Sequence, residues 1–322
     1  MRAVQVQRLE GPESISVVEI DEPKAGPGQV LIDVHAAGVT WPDLLLTRGL
    51  YQMKPPLPFV PGSEVAGVVR SAPEGSGLKP GSRVVAFPGI GAFQEVVATH
   101  PGAVFPLPER ISFEAGAALP MNYLTVVFAL VRRGRLKAGE TVLVHGAAGG
   151  VGSAGVQVAK AFGARVLAVV STDAKRKIAE QAGADEVVLA DGFLAAVKSL
   201  TNGRGVDVVL DPVGGDRFTD SLRSLAPEGR LLVVGFTGGE IPTVKVNRLL
   251  LNNVDVVGVG LGAFVMHEPA LLQNEWARLV PHLEAGRLDP PLGAVYPLAD
   301  AARALTEMEE RRAIGKLVLK VR

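Results

Sequence analysis

The 322-residue chain contains no cysteine. That absence excludes disulfides, thiolate nucleophiles and cysteine-ligated zinc together, and it agrees with a reducing compartment. An excess of either charge is missing as well, because Lys plus Arg and Asp plus Glu both number 33. No basic balance marks the chain for a nucleic-acid backbone or an anionic bilayer, so neither is expected, and a small or locally charged ligand is the expected partner. Long apolar runs are also lacking. The most apolar stretch, residues 121–131, is interrupted by Asn122 and Thr125 and closed by Arg132 and Arg133, far short of the ~20 residues a spanning helix needs. The start, Met1-Arg2-Ala3-Val4-Gln5-Val6, runs into Gln7, Arg8 and Glu10 instead of an apolar core with a cleavage site, which makes a cytoplasmic location the expectation. No internal repeat or low-complexity tract is present.

What the chain does have is enough apolar residues, 48%, to bury full cores, and a length above the ~100–200 residues of one domain. Up to about residue 120, Pro and Gly recur every few positions between short β-branched runs such as 30–34, 65–69 and 83–87, a β-rich texture with many turns. From Thr141 the texture changes. Apolar strands at 141–145, 165–170, 187–189, 206–210 and 230–235 alternate with helical stretches at 152–162, 175–182 and 217–225, the pattern of a parallel sheet with helices on both faces. After about Val259 come helical patterns at 270–285 and 299–312 and a last strand at 316–321. This tail is too short for a third domain and is expected to return to the first.

The strand at 141–145 feeds into Gly146-Ala147-Ala148-Gly149-Gly150-Val151-Gly152. Against the GxGxxG fingerprint, Ala147 stands at the first glycine, Gly149 at the second and Gly152 at the third. A second glycine lets the backbone approach a pyrophosphate, and a third lets the helix pack closely on the strand; the amides and dipole of the helix then face the phosphates. Gly149, Gly150, Val151 and Gly152 are therefore candidate dinucleotide-binding residues. An acid closing the next strand would accept from the ribose hydroxyls of NAD and repel a ribose phosphate. Ser171 stands there instead, and Lys175, Arg176 and Lys177 follow on the next helical turn, so NADPH is the expected cofactor. Asp173 is the one nearby acid that could take a ribose.

Several segments, in order along the chain, resemble the zinc-free quinone oxidoreductase (zeta-crystallin-like) branch of the medium-chain dehydrogenase/reductase superfamily. They are Gly38-Val39-Thr40-Trp41-Pro42-Asp43 with Arg48-Gly49-Leu50-Tyr51, Pro61-Gly62-Ser63-Glu64-Val65-Ala66-Gly67-Val68-Val69, Asn122-Tyr123-Leu124-Thr125, the glycine turn, Asp211-Pro212-Val213-Gly214-Gly215, Gly235-Phe236-Thr237-Gly238 and residues 252–264. The resemblance implies an α/β protein with a GroES-like β-rich catalytic domain and a doubly wound parallel-sheet (Rossmann) domain. It assigns residues 1–122 to the first, 123–258 to the second and 259–322 to a return to the first, and it implies a homodimer. Zinc-dependent relatives carry cysteine at the position of Thr40 and a Gly-His-Glu triplet at Gly62-Ser63-Glu64, so no metal is expected. The five histidines, His35, His100, His145, His267 and His282, lack ligand spacing and read as structural.

The resemblance places Tyr51 and Thr40 beside the nicotinamide as catalytic candidates, Tyr51 being the better donor to a substrate oxygen, with Thr125 near them. Many members have asparagine where Thr40 stands. Asp43 reads as a turn residue after Pro42, and Glu64 as a member of an internal ion pair. Val213 is expected beside the adenosine and Phe236 and Thr237 toward the nicotinamide, at strand ends where ligands lie in such sheets. Lys316, in a family Gly-Lys pair, is a candidate for the cofactor phosphate or a surface lysine. Ala190 stands where relatives often place a tyrosine on the ribose phosphate. Without zinc, a substrate has to be electrophilic already, which points to hydride transfer from NADPH to quinones or other α,β-unsaturated carbonyls. An enoyl- or acyl-CoA-type double-bond reductase has the same cofactor geometry and stays open beside it. So does a non-enzymatic NADPH-binding structural or RNA-binding role, as in crystallins.

Overall fold

Alternation sets the first sheet. In the strand Val30–Gly38, Val30, Ile32 and Val34 are buried while Leu31, Asp33 and His35 turn partly outward, the period-two pattern of a β-branched strand with one face on a core. In the computed structural model, which describes residues 1–322, the chain folds as two compact units. One comprises Met1–Met121, Pro269–Trp276 and Leu292–Arg322, the other Asn122–Glu268 and Ala277–Pro291.

In the first unit Val30–Gly38 is the organising strand. Glu64–Ser71 runs antiparallel along one edge, followed outward by Arg83–Ala86 and Val104–Pro106. The other edge is shared by two partners: Val96–Thr99 pairs with its first half and the C-terminal strand Lys316–Lys320 with its last residues, Ala36 to Gly38. Leu292–Pro297 adds a parallel strand beyond Lys316–Lys320. Val30, Ile32, Val65, Val84, Phe93, Val97 and Leu319 fill the core beneath. Residues near both ends of the sequence thus complete one sheet.

The second unit is built on six parallel strands in the spatial order Glu186–Leu189, Arg165–Val170, Thr141–Val144, Val206–Asp211, Leu225–Val233 and Asp255–Gly258. In chain order this is 3-2-1-4-5-6, the doubly wound arrangement, whose switch point lies between the first and fourth strands. Strands covered on both faces need continuous apolar sequence, and Arg165–Val170 is buried at every residue after the first. Its helices include Gly150–Ala161, Arg176–Gln181, Phe193–Leu200, Phe218–Arg223 and Asn247–Asn252.

Several boundaries differ from the sequence pattern. The helix after the glycine turn starts at Gly150, two residues early, because Gly149 already has the extended conformation of a cap. Helix Phe193–Leu200 and edge strand Asp255–Gly258 were not read from the sequence. The strand expected from residue 230 begins at Leu225 and takes a bulge before Arg230. The tail after Val259, expected wholly in the first unit, is divided. Residues 259–268 group with the second, where Phe264 packs on Phe128 at 5.2 Å and lies under the Arg132 guanidinium. Residues 277–291 do so as well, where Gln157 hydrogen-bonds the backbone of Asp289 in both directions. No helix is long and apolar enough to cross a membrane.

One charged side chain ties the second unit together. Arg230, almost buried, donates to the carboxylate of Glu140 at 2.6 and 2.8 Å and to the backbone carbonyls of Gly134, Arg135 and Asp207. It joins the end of the π-helical turn Phe128–Arg133 to the entrances of two central strands. Removing one member of a buried pair leaves its partner's charge unsatisfied, at a cost of about 3–5 kcal/mol. Arg230→Ala is expected to lower unfolding stability by that amount, and a denaturation midpoint within about 1 kcal/mol of the parent would refute it.

Candidate active site

The glycine turn is built by two constraints. Gly146, at the end of the strand Thr141–Val144, takes φ +60°, and its carbonyl lies so close to Gly152 that any Cβ on Gly152 would overlap it. Gly155 is likewise pressed on the Leu210 side chain. The left-handed residue is Gly146, one position before the fingerprint's first glycine, which explains why Ala147 is tolerated there: it is fully buried, and its amide donates to Val169 O at 3.0 Å. Gly150 is held for a different reason, since a Cβ there would meet the Asn122 amide at 2.7 Å.

Gly149 stands apart. A Cβ there would have only Gly146 O as a neighbour, at 3.4 Å, and the residue is exposed. Packing within the protein tolerates a side chain at this position, so the vacant Cβ space faces outward. The 12-residue helix Gly150–Ala161 has no side-chain N-cap, which leaves its first amides available, with the helix dipole behind them, to an anion. These features fit a dinucleotide pyrophosphate.

The other cofactor candidates of this unit gather at the same ends of the parallel strands. Asp211, buried at the end of the fourth strand, accepts from the amides of Val213 and Gly214 at 2.8 and 2.9 Å. Thr237 donates from its amide and its hydroxyl to Pro212 O, and Gly238 N to Val213 O, so the loops carrying Val213 and Phe236-Thr237 are stitched together. A Cβ on Gly146 would approach Val213 Cγ2 to 3.2 Å, and one on Gly214 would approach the Phe236 ring to 2.8 Å. Thr125 is half-buried in the helix Pro120–Val127, one turn after Asn122. Asn122 was missed by sequence reasoning, and only the tight approach of its amide to Gly150 identifies it. His145, one residue before the turn, is buried with Nε2 2.8 Å from Ser221 Oγ, and burial pushes it down to about 4, so the ring is neutral and structural.

At the end of Arg165–Val170, Ser171 is exposed and Lys175 half-buried at the end of the 3-10 turn Asp173–Lys175. Arg176 is turned away, donating to Val187 O and to Asp173 at 3.3 Å. That pairing draws on the one acid that could have taken a ribose.

In the first unit Thr40 caps the helix Trp41–Thr47 in a reciprocal box with Asp43. Thr40 donates to Asp43 Oδ2 from its amide at 2.8 Å and from Oγ1 at 2.6 Å, and Thr40 Oγ1 lies 3.1 Å from Ser63 Oγ. Asp43 has no exposed surface, and its Oδ1 has no hydrogen-bond partner. Burial pushes its carboxyl up to about 7, against the Thr40 hydrogen bonds and the charge of Lys316, and with the repulsion of Glu64. Tyr51, half-buried, is raised above its usual range by burial and by Asp43, which keeps its hydroxyl a donor. Lys316 requires correction. It is buried and paired with Glu64 at 2.5 Å, while the other Glu64 oxygen accepts from Met121 N at 2.7 Å, so its ammonium is committed to the interior and is neither a surface group nor placed for a phosphate. The two positions at which zinc-dependent relatives carry cysteine and histidine hold hydroxyls here, Thr40 Oγ1 and Ser63 Oγ, 3.1 Å apart.

A GroES-like sheet completed by the chain terminus, together with a 3-2-1-4-5-6 dinucleotide sheet, defines the class of medium-chain dehydrogenases/reductases. Comparison with known proteins agrees. The profile for alcohol dehydrogenase GroES-like domains matches residues 26–109, and that for zinc-binding dehydrogenases matches residues 150–285. Quinone oxidoreductase-like protein 2 of Rattus norvegicus is 38% identical over 325 residues, covering 100% of this chain and 92% of that protein. Among solved structures, a probable oxidoreductase from Mycobacterium abscessus is 47% identical with a TM-score of 0.92, covering 100% of this chain and 99% of that one. The quinone oxidoreductase from Thermus thermophilus, also solved in complex with NADPH, is 36% identical with a TM-score of 0.87 and full coverage of both chains. The chain belongs to the quinone oxidoreductase branch of the medium-chain dehydrogenase/reductase superfamily and is an oxidoreductase of small molecules with a nicotinamide cofactor.

The turn tolerates nothing larger than hydrogen at Gly152. Gly152→Ala is expected to weaken dinucleotide binding at least ~10-fold, about 1.4 kcal/mol, by forcing the strand and helix apart. Fluorescence titration with NADPH checks this, and an unchanged affinity in a folded variant would contradict it.

Proposed function

We propose that the protein is an NADPH-dependent, zinc-independent reductase that transfers hydride to quinones or other α,β-unsaturated carbonyls. The observation that carries the proposal is the Thr40–Ser63 hydroxyl pair, closed off by Asp43, at the positions where zinc-dependent relatives hold their metal. A site without a Lewis acid suits a substrate whose conjugated carbonyl is already electrophilic.

Bound NADPH would supply the hydride. The amides of Gly149, Gly150, Val151 and Gly152 would hold its pyrophosphate, Ser171 and Lys175 the ribose phosphate, and Val213 the adenosine side, with Phe236, Thr237 and Thr125 toward the nicotinamide. Ala190, nearly buried at 9% exposure, offers the phosphate no hydrogen bond, which leaves more of the selectivity to Lys175. In this reading Tyr51 donates to the substrate oxygen as negative charge develops there.

The parent protein is expected to oxidise NADPH, well ahead of NADH, with members of a panel of quinones, enones and enoyl-CoA esters. A hydrogen bond to a charged group is worth ~1.5–3 kcal/mol, so Ser171→Asp with Lys175→Ala should move the preference toward NADH by tenfold or more. Equal use of both cofactors by the parent would sink the NADPH assignment, and stoichiometric binding without turnover on any acceptor would sink the reductase.

A homodimer is part of the proposal. The strand Asp255–Gly258 closes the six-stranded sheet with its outer edge unpaired, and Val246, Leu250 and Leu251, around the preceding helix, are each more than 70% exposed. Open edges and clustered apolar surface are features that proteins usually cover. Light scattering should report twice the chain mass, falling to one chain in Leu250→Glu/Leu251→Glu. A monomeric parent would rule this out.

A further inference from the structure

The protein exposes twelve large apolar side chains, and four of them, Leu9, Leu50, Met53 and Leu57, come from two loops that the fold stitches together. Val6 and Phe59 exchange backbone hydrogen bonds at 2.8 and 3.3 Å, Gly11 N donates to Thr47 O, and a Cβ on Gly49 would lie 2.9 Å from the Leu9 side chain. Arg48 fastens the start of the second loop, donating to the carboxylates of Glu13 and Glu309 and to the carbonyl of Glu10. Residues 50–58 form no helix or strand, but Pro55, Pro56 and Pro58 have their φ fixed by their rings. A loop pinned at both ends and stiffened by prolines holds its apolar side chains out to solvent, Leu50 most of all at 72% exposure.

Clustered apolar surface on a soluble protein is usually covered or used. Lys54 is the one charge in residues 50–58 and has no ion pair, while Arg8 and Glu10 on the first loop neutralise each other at 3.2 Å. One unpaired cation is too little to hold the surface on an anionic bilayer, so a neutral apolar ligand suits it better. Tyr51 lies on the second loop, packed on the Val6, Leu46 and Phe59 cluster, with Leu50 and Met53 exposed one and two positions away. Burial and the Asp43 charge keep its hydroxyl protonated. A quinone head at that hydroxyl therefore has apolar surface beside it.

We infer that Leu9, Leu50, Met53 and Leu57 receive the hydrocarbon chain of an alkyl- or prenyl-substituted quinone whose oxygen meets Tyr51, which makes lipophilic quinones the substrate class. The inference rests on the reductase reading above and on the place of Tyr51 in it, and all of these residues belong to the first unit. Because the loop is held before the ligand arrives, little conformational freedom is lost when a chain settles on it, and more of the apolar gain appears as affinity. The chain contributes through binding alone, so its effect falls on KM with kcat nearly constant.

The test uses one benzoquinone head carrying no chain, a butyl chain or a decyl chain, with NADPH as donor. In the parent, kcat/KM is expected to rise at least ~10-fold, about 1.4 kcal/mol, from the bare head to the decyl compound, nearly all of it in KM. Leu50→Ser/Met53→Ser should abolish that gain and Leu57→Ser reduce it, whereas Ile314→Ser, an exposed apolar position before the last strand, should keep it. Calorimetric titration of the same quinones into the protein without NADPH gives a readout free of turnover. The decyl compound should bind at least ~10-fold more tightly than the bare head, with a negative heat-capacity change, and the double variant should lose both. A gain absent from the parent, or surviving in the double variant, would overturn the assignment. So would a fall in particle mass by light scattering in that variant, which would give the patch to a second copy of the chain. A parent without turnover on any acceptor would remove the reductase reading, and the titration would then decide the patch alone.

Discussion

The contact on which the cofactor half depends is between two glycines. The carbonyl of Gly146 lies against the α-carbon of Gly152 with no space for a methyl group, and the left-handed φ of Gly146 aims it there. This brings the helix Gly150–Ala161 down onto its sheet, points its uncapped amides out over the switch point of the strand order, and leaves the vacant Cβ space of Gly149 facing outward. The loops after the fourth and fifth strands, stitched through Asp211, Pro212 and Val213, lie at the same ends of the strands.

The first unit buries a small polar cluster around Thr40. Two hydroxyls and a carboxyl form it, each within hydrogen-bond distance of the next. The neighbouring Glu64–Lys316 pair balances its own charge inside the fold, so the excess of the cluster rests on Asp43. Burial and a missing partner for Oδ1 then favour its neutral form.

Much of this was legible in sequence. Strand Arg165–Val170 announced itself by an unbroken apolar run, and the turn after Val144 by its glycines, because both signals are local. Lys316 was not legible: a lysine after glycine before a terminal strand reads alike whether it reaches a phosphate or pairs inside with Glu64, 252 residues away. Asn122 was missed for the same reason, since its role is a close approach to Gly150 and leaves no pattern of its own. The early start of the strand at Leu225 and the split of the tail after Val259 depend on a bulge and on ring packing against Phe128, neither of which has a periodic signature.

The sequence by itself determined the two kinds of sheet, the place of the glycine turn, the non-acidic strand end at Ser171 and the lack of any cysteine. These follow from residue type and spacing, which short-range backbone sterics read directly. Only the tertiary structure decided which charges are spent internally. It committed Lys316 to Glu64 and Arg176 to Val187 and Asp173, and it buried Asp43 against Thr40. The physical reason is that the state of an ionisable group depends on solvent exclusion and on partners brought from distant parts of the chain, and neither exists until the sheets have closed.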